Sequence, residues 1–309
     1  MLMQIHFHAM GCQMMAALDA AVPHDAELLQ QVPRWFEGWE QHLSRFRVDS
    51  EVTALNRSDG QAFPVSQVVW EVFQVALQAE RRSQGWVTPT IYDALVQTGY
   101  VHSFSSGVSA VESLTEATPR PAPPLGAIGV DAERQTLTLP PNVHLDFGGV
   151  AKGWAADQVL HRLNRAGPAI IDAGGDVAVG DLPVEGGLWP VAIGDPFGES
   201  EPRDLLMLSN CGVATSGRDY RRWQANGAWQ HHLIDPHTGQ PAQTDVISAT
   251  VVAPTVVEAE LAAKVVLLAG SRAGMDWLDA QDGWEGVAVL EDNRRVYSRH
   301  LKDFLWSEE

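Results

Sequence analysis

Hydrophobic and polar positions alternate through the first twenty residues, and this alternation predicts a pair of strands. In MQIHFHAMGCQMMAALD the pattern runs on either side of Met10–Gly11, which places these two residues at a turn. Two later segments carry apolar residues at helical spacing instead. They are DAELLQQVPRWFEGWEQHLSRF (25–46), interrupted by Pro33, and VSQVVWEVFQVALQAERRSQG (65–85), which we expect to end at Gly85.

The second half of the chain mixes strands with helices. GVDAERQTLTLPPNVHLDF (129–147) predicts strand, turn and strand, DVISATVVAP (245–254) a strand, and GVAVLEDNRRVYSR (286–299) a hairpin. VVEAELAAKVVLLAG (256–270) predicts a buried helix. Helices mixed with hairpins favour the α+β class, with mixed or antiparallel sheets and packed helices. The Ser/Pro-rich residues 103–126 predict a flexible surface loop.

Composition narrows the class of partners. The formal net charge is 21 − 39 = −18, which argues against nucleic acid and against anionic membranes. Cys12 and Cys211 fit neither a disulfide framework nor a zinc motif. The sequence shows no signal peptide and no apolar run of about 18 residues, so we expect no membrane span. We expect a cytoplasmic protein as the sequence stands, and a periplasmic one if a leader has been removed.

One glycine-rich stretch carries candidate chemistry. LDFGGVAKGWAAD (145–157) places Asp146, two glycines and Lys152 at the start of an expected helix, where free N–H groups and the helix dipole favour an anion. The stretch matches neither the P-loop nor the dinucleotide fingerprint. Taken alone, it is better explained as a plain strand–turn–helix junction, in which the glycines serve packing.

Seven stretches of the chain, in a fixed order, resemble segments of a known protein family. They are MGCQMMAALD, LSRFRVDSEVTALN, LDFGGVAKGWAAD, IIDAGGDVAVG, VATSGRDYRRW, HLIDPHTGQP and VVAPTVVEAELAAKVVLLAG. Together they are similar to the ApbE family of FAD:protein FMN transferases over most of the chain. The resemblance implies an ApbE-like, T-fold-like α+β architecture. It also implies one domain over residues 1–309, which could consist of two packed subdomains.

The resemblance also implies an activity and a set of residues. Family members split FAD at its pyrophosphate, transfer FMN to a Thr or Ser hydroxyl of a target flavoprotein and leave AMP, with magnesium at the pyrophosphate. His232 then matches the histidine that takes the hydroxyl proton. Gly149, Glu260 and Lys264 stand at metal-ligand positions. The FAD-contacting positions are Met10, Phe46, Trp86, Val87, Thr88, Asp146, Lys152 and Ile234.

Two departures from the family pattern bear on the metal and on FAD. The family motif E-A-D-A-x-x-T reads EAELAAK here, so Glu260 replaces its Asp and Lys264 its Thr. The motif G-A-F-D-P-T reads GWVTPT and lacks its acid. A protonated lysine cannot ligate magnesium. We therefore expect Lys264 either to replace the metal as the counter-charge of the pyrophosphate or to pair with Glu260 and close the metal site.

Two alternative functions remain open on the sequence alone. The first is a family member that binds FAD but has lost magnesium-dependent transfer and acts as a flavin carrier or maturation factor. The second is a hydrolase built on Ser216 and His232, which the absence of a G-x-S-x-G motif disfavours.

Overall fold

A computed structural model of the chain describes residues 1–20, 25–103, 118–198, 204–219, 221–225 and 228–307. Its internal contacts divide the chain into two compact units. The first unit comprises Met1–Phe36, Lys152–Tyr220 and Thr244–Glu309. The second comprises Glu37–Ala151 and Arg221–Gln243.

Strands and helices are numbered along the chain. The strands are β1 (Leu2–Ala9), β2 (Cys12–Asp19), β3 (Phe63–Pro64), β4 (Gly129–Asp131), β5 (Thr136–Thr138), β6 (Ala169–Ala173), β7 (Val177–Val179), β8 (Trp189–Ile193), β9 (Asp204–Leu208), β10 (Cys211–Gly217), β11 (Arg222–Ala225), β12 (Ala228–His231), β13 (Ile234–Asp235), β14 (Gln240–Pro241), β15 (Val246–Ala253), β16 (Glu285–Leu290) and β17 (Arg295–Tyr297). The helices are α1 (Ala26–Leu29), α2 (Val32–Leu43), α3 (Glu51–Asn56), α4 (Gln67–Arg82), α5 (Tyr92–Gln97), α6 (Ala151–Leu163) and α7 (Val256–Leu278). Short 3-10 helices span Pro89–Ile91, Leu125–Ala127 and Leu301–Phe304.

The first unit is built on an eight-stranded sheet in the order β1-β2-β6-β7-β10-β15-β16-β17. Its neighbouring strands pair antiparallel throughout. Helix α7 packs on β10, β15 and β16. Side chains of the sheet also join a hydrophobic cluster with the β8–β9 hairpin and with Leu301. Because both faces of β15 are covered, nearly all of its side chains are buried, as its apolar sequence predicts.

The second unit contains α3, α4 and α5, a three-stranded sheet in the order β3-β5-β4, and the hairpins β11–β12 and β13–β14. Ser66 caps α4 by accepting a hydrogen bond from the amide of Val69. After α4 the chain turns at Gly85, whose φ of 89° favours glycine. The helix predicted over 65–85 is therefore confirmed, with its regular part at Gln67–Arg82.

The predicted N-terminal hairpin is also confirmed. Ala9 pairs with Cys12, so Met10 and Gly11 form a two-residue turn with φ values of 48° and 71°. Positive φ at both positions is the geometry whose twist matches that of a hairpin. The turn that the M-G motif predicts is therefore the turn that joins β1 to β2.

The helix predicted over 256–270 continues further than expected. Gly270 breaks it with φ 84° and ψ 168°, and a second helical segment then runs to Leu278. Asp245 holds the start of that segment, because its carboxylate accepts hydrogen bonds from the amide and hydroxyl of Ser271. The interruption is therefore anchored from outside the helix.

Part of the predicted loop 103–126 lies outside the described residues, namely 104–117. At its described end, Ala122 donates its amide hydrogen bond to Pro236 O. The side chain of Leu125 is fully buried, and its amide donates to the carboxylate of Glu80. The observed α+β architecture, with antiparallel strand pairing among the described residues, confirms the predicted fold class. Among the described residues, none of the helices has the length and apolar character needed to span a membrane.

Candidate functional site

Four charged side chains meet in the first unit and form what we term the charge cluster: Lys152, Asp176, Glu260 and Lys264. The ammonium of Lys152 contacts the carboxylate of Asp176 and lies 3.3 Å from Glu260 Oε1. Lys264 Nζ lies 2.9 Å from the same oxygen. The carboxylates are buried, with 3% and 2% of their side chains exposed, whereas the two lysine side chains are 15% and 16% exposed. The carboxylates therefore form the buried base of the cluster, and the ammonium groups lie nearer its surface.

Local structure explains how each member reaches this place. Lys152 is the second residue of α6, and Asp176 follows the Gly174–Gly175 turn between β6 and β7. Glu260 and Lys264 are one helical turn apart on α7 and share a face, as the sequence predicts. The prediction of a Glu260–Lys264 pair on a polar stripe of a buried helix is confirmed.

Helices α6 and α7 approach closely at Gly153. Its amide donates a 3.1 Å hydrogen bond to Glu260 Oε2, and an added Cβ would lie 2.7 Å from that oxygen. Asp157, one turn further along α6, accepts hydrogen bonds from the amides of Val256 and Val257 at the start of α7. The two helices are thus joined by hydrogen bonds in both directions, because a carboxylate on each helix accepts from backbone amides of the other.

The two buried carboxylates differ in their pKa values. Burial raises the pKa of Asp176, and the attraction of Lys152 does not offset it. Burial also acts to raise the pKa of Glu260, but the ammonium groups of Lys152 and Lys264 outweigh it and hold that pKa below its ordinary value. Glu260 has the larger set of donors, which explains why it stays ionised more readily.

The first unit also holds Met10, the predicted FAD contact at the tip of the β1–β2 turn. Cys12 follows this turn and lies against Gly174, where an added Cβ would come within 2.6 Å of Cys12 Cβ. Two glycine-containing turns of the first unit are therefore close together, those that contain Met10–Gly11 and Gly174–Gly175. The second of them leads directly into Asp176.

Asp146 lies in the second unit, where it is held by an arginine. Arg45 Nε is 2.7 Å from Asp146 Oδ2, and the other carboxylate oxygen accepts the amide of Gly148 at 2.7 Å. The amides of Val150 and Ala151 donate to Phe147 O. Several N–H groups of the turn are therefore used inside the protein, and Asp146 contributes to the turn as its own capping residue.

Arg45 is enclosed by aromatic rings as well as paired. Its guanidinium carbon lies 4.2 Å from the ring centroid of Phe46, 4.7 Å from that of Tyr100 and 5.5 Å from that of Tyr92. These distances are within the range of cation–π attraction. An Arg45 amino group also donates to Tyr100 O at 2.6 Å.

His232 lies in the same unit beside an aromatic group that we term the ring cluster: Phe46, Tyr100, Trp223 and His232. Tyr100 stacks on Trp223 with centroids 5.4 Å apart and meets Phe46 edge-on at 5.5 Å. The His232 ring is half-buried and 6.2 Å from that of Tyr100. Ile234 is buried in the hydrophobic cluster that includes Tyr100 and Trp223. The structure thus brings three predicted residues, Phe46, His232 and Ile234, around Tyr100.

The residues of the GWVTPT segment belong to neither the charge cluster nor the ring cluster. The ring of Trp86 meets that of His237 edge-on at 4.5 Å. Val87 is buried, and its amide donates to the Ser83 hydroxyl. Thr88 is buried and donates its hydroxyl to Glu80. Gly149 is half-buried in the turn before α6. These remain predicted positions of FAD or metal contact.

Comparison with known proteins places this geometry in a family. The model of the ApbE family matches residues 10–288. The chain belongs to the ApbE family. Two curated relatives have the name FAD:protein FMN transferase. The one from Treponema pallidum is 29% identical over 303 residues, with 93% of this chain and 82% of that protein covered. The one from Vibrio cholerae is 27% identical over 290 residues, covering 91% and 86%.

Solved ApbE structures share the fold. The crystal structure of the ApbE protein from Thermotoga maritima gives a TM-score of 0.82 at 19% identity, covering 99% of this chain and all of the other. The flavin transferase ApbE from Vibrio cholerae gives 0.79 at 22% identity, covering 99% and 100%. These matches confirm the predicted ApbE-like architecture.

The ApbE family pattern implies a magnesium ion at residues that do not fit one here. An ammonium has no lone pair for a metal, and Lys264 Nζ already lies on Glu260 Oε1. The other oxygen, Glu260 Oε2, accepts the amide of Gly153. Within the described part of the chain, no three His, Cys, Asp or Glu side chains are grouped as metal ligands.

The sequence did not single out two residues that support the site, Arg45 and Asn56, and it indicated Asp176 only as part of the IIDAGGDVAVG stretch. Arg45 orients Asp146, and Asn56 fixes the preceding residue, because its amide group both donates to Leu145 O and accepts from Leu145 N. Asp176 completes the charge cluster. Asn56 and Arg45 lie in the LSRFRVDSEVTALN stretch and Asp176 lies in IIDAGGD, but neither stretch indicates which residue each side chain would contact.

Proposed function

We propose that this chain is a FAD:protein FMN transferase, which binds FAD, attaches FMN to a Thr or Ser hydroxyl of an acceptor flavoprotein and releases AMP. The observation that carries the proposal is the ApbE match over residues 10–288. Relatives with this name, covered over more than nine-tenths of this chain, support the transferase over the carrier alternative. No comparison favours a chain that has lost the activity.

The ring cluster supports binding of an aromatic dinucleotide. Tyr100 and Trp223 are stacked and buried, and Phe46, which is 36% exposed, lies beside them, so its ring offers a flat surface for a flavin or adenine ring. Arg45 pairs with Asp146 and fixes the orientation of its carboxylate, which can accept hydrogen bonds from ring N–H or ribityl hydroxyl groups. In the first unit, Lys152 and Lys264 provide ammonium donors suited to phosphate oxygens.

The transfer step balances without a further reactant. The hydroxyl oxygen of the acceptor attacks the phosphorus of the FMN half of FAD and forms a new P–O bond. The bond from that phosphorus to the bridging oxygen breaks, and AMP leaves with the electron pair. We assign the role of the base that accepts the hydroxyl proton to His232, and its half-buried position beside Tyr100 supports this assignment.

The test is incubation of the purified chain with FAD and an acceptor domain that the Vibrio cholerae transferase modifies. Mass spectrometry is expected to find FMN on the acceptor, and none on the same domain with its acceptor Thr or Ser replaced by Val or Ala. FAD that stays bound and intact would favour the carrier. A chain that shows no binding of FAD in a fluorescence titration would exclude both.

The cellular location belongs to the proposal as well. The protein and its acceptor flavoprotein lie either in the cytoplasm or in the periplasm. Fractionation of cells that express the gene from its own start decides this, since recovery with periplasmic proteins would indicate a leader and an acceptor on that side. Neither outcome alters the transfer chemistry.

A further inference from the structure

The charge cluster contains two ammonium groups and two carboxylates. Its composition indicates which groups could supply positive charge to the pyrophosphate of FAD. Splitting a pyrophosphate needs positive charge near the oxygens that become more negative. In the cluster, Asp176 and Glu260 are buried, and the positive groups nearest them are the ammonium groups of Lys152 and Lys264. The formal charges of the four side chains sum to zero, so each buried carboxylate already has an ammonium group of the cluster as its counter-charge.

Within the charge cluster, Lys264 is the residue best placed to contact a ligand outside the cluster. One of its three N–H donors reaches Glu260 Oε1 at 2.9 Å, and 16% of its side chain is exposed. The Glu260 carboxylate is fixed on both oxygens, by Lys264 and Lys152 on one and by Gly153 N on the other. A cation bound to this carboxylate would lie close to the Lys264 ammonium, which would place two like charges side by side.

We propose that Lys264 takes the place of a divalent cation in this chain, so that its ammonium, oriented by Glu260, provides the positive charge for the pyrophosphate of FAD. This inference rests on the proposed function. It assigns Lys264 a direct contact with substrate phosphate and Glu260 a positioning role. It also predicts a transferase that works without magnesium.

The experiment compares the wild type with Lys264→Thr, Lys264→Arg and the double variant Glu260→Asp/Lys264→Thr. Lys302, which is exposed, provides the matched control Lys302→Thr. Each protein is tested for Mn²⁺ binding by electron paramagnetic resonance, for FAD affinity in EDTA by flavin fluorescence, and for transfer with magnesium or with EDTA. Thermal unfolding of each variant shows whether it is folded.

The expected results follow from the charge. The wild type and Lys302→Thr transfer FMN equally with magnesium and with EDTA, and they bind no Mn²⁺. Lys264→Thr binds FAD in EDTA roughly tenfold or more weakly, because a charge-assisted contact is lost, and Lys264→Arg keeps part of the affinity. The double variant binds Mn²⁺ and transfers only with a divalent ion.

Transfer by the wild type that EDTA abolishes would overturn the inference, and so would stoichiometric binding of Mn²⁺ to the wild type. If the wild type transfers nothing under any condition, the proposed function fails by itself. The Mn²⁺ and FAD titrations of wild type and Lys264→Thr then still decide the inference. Equal FAD affinity of the two proteins in EDTA would contradict it.

Discussion

Arg45 Nε lies 2.7 Å from Asp146 Oδ2, and only 4% and 11% of the two side chains are exposed. Two consequences follow from an ion pair so well shielded from water. Removing one partner leaves the other charge buried and uncompensated. The pair also fixes the carboxylate at the residue that the ApbE pattern assigns to FAD.

We predict that Arg45→Met destabilises the protein by about 3 kcal/mol, because Asp146 loses its counter-charge and three rings lose a cation–π partner. Urea denaturation measures the difference. Arg134→Met is the matched control, since Arg134 is largely exposed and its loss should change stability by less than about 0.5 kcal/mol. Similar values for the two variants would show that the Arg45 pair is not structural.

Replacement of His232 by Gln should reduce FMN transfer by roughly 10²–10⁴-fold, because the proton of the acceptor hydroxyl then has no base. FAD affinity should change little, since the other three rings of the ring cluster, Phe46, Tyr100 and Trp223, stay in place. The measurement is the initial rate of acceptor labelling at saturating FAD, with His300→Gln at an exposed position as control. A His232→Gln protein with an unchanged rate would remove His232 from the chemistry.

Gly153 and Gly38 form a matched pair of helical glycines. A Cβ at Gly153 would lie 2.7 Å from Glu260 Oε2 and 3.2 Å from the backbone of Val256, whereas one at Gly38 meets nothing within 4 Å. Gly153→Ala should therefore destabilise the protein by about 2 kcal/mol. Gly38→Ala should stabilise it by roughly 0.5–1 kcal/mol. Thermal or urea unfolding of both variants tests whether the two substitutions change stability in opposite directions.

The raised pKa of Asp157 predicts that the free energy of unfolding depends on pH. Burial raises its pKa to about 6 from 3.8, although the amides of Val256 and Val257 act to lower it. Because the folded pKa is the higher one, its stabilising effect is complete below pH 4 and is lost as the pH rises through 6. The shift corresponds to up to about 3 kcal/mol.

The measurement for Asp157 is urea denaturation of the wild type and Asp157→Asn between pH 4 and pH 7. The difference between the two isolates this one group, since other carboxylates titrate in both. We expect the wild type to lose stability relative to the variant as the pH rises. A difference that stays constant, or that has the opposite sign, would contradict the raised pKa.

The sequence predicted features set by neighbouring residues. The Met10–Gly11 turn follows from alternation on both of its sides, and the Glu260–Lys264 pair follows from helical spacing. The helix that was predicted to end at Gly270 is interrupted there, but the second helical segment to Leu278 was not predicted, because Asp245 anchors its start through Ser271.

Features set by distant residues could not be predicted. Arg45 meets Asp146, and Lys152 meets Asp176, only after strands and helices far apart in sequence have packed. No local pattern encodes such a partner. The resemblance assigned roles to Asp146 and Lys152. The stretches that contain Arg45 and Asp176 were part of it, but nothing in them indicates that these two side chains contact Asp146 and Lys152.

The most direct test of the proposed activity is the ratio of AMP released to acceptor flavinylated in one reaction mixture, with a parallel mixture that lacks acceptor. A FAD:protein FMN transferase should give one AMP for each flavinylated acceptor and little AMP when acceptor is absent. AMP and free FMN formed equally without acceptor would indicate a pyrophosphatase. No AMP in either mixture, with FAD bound, would contradict transfer altogether.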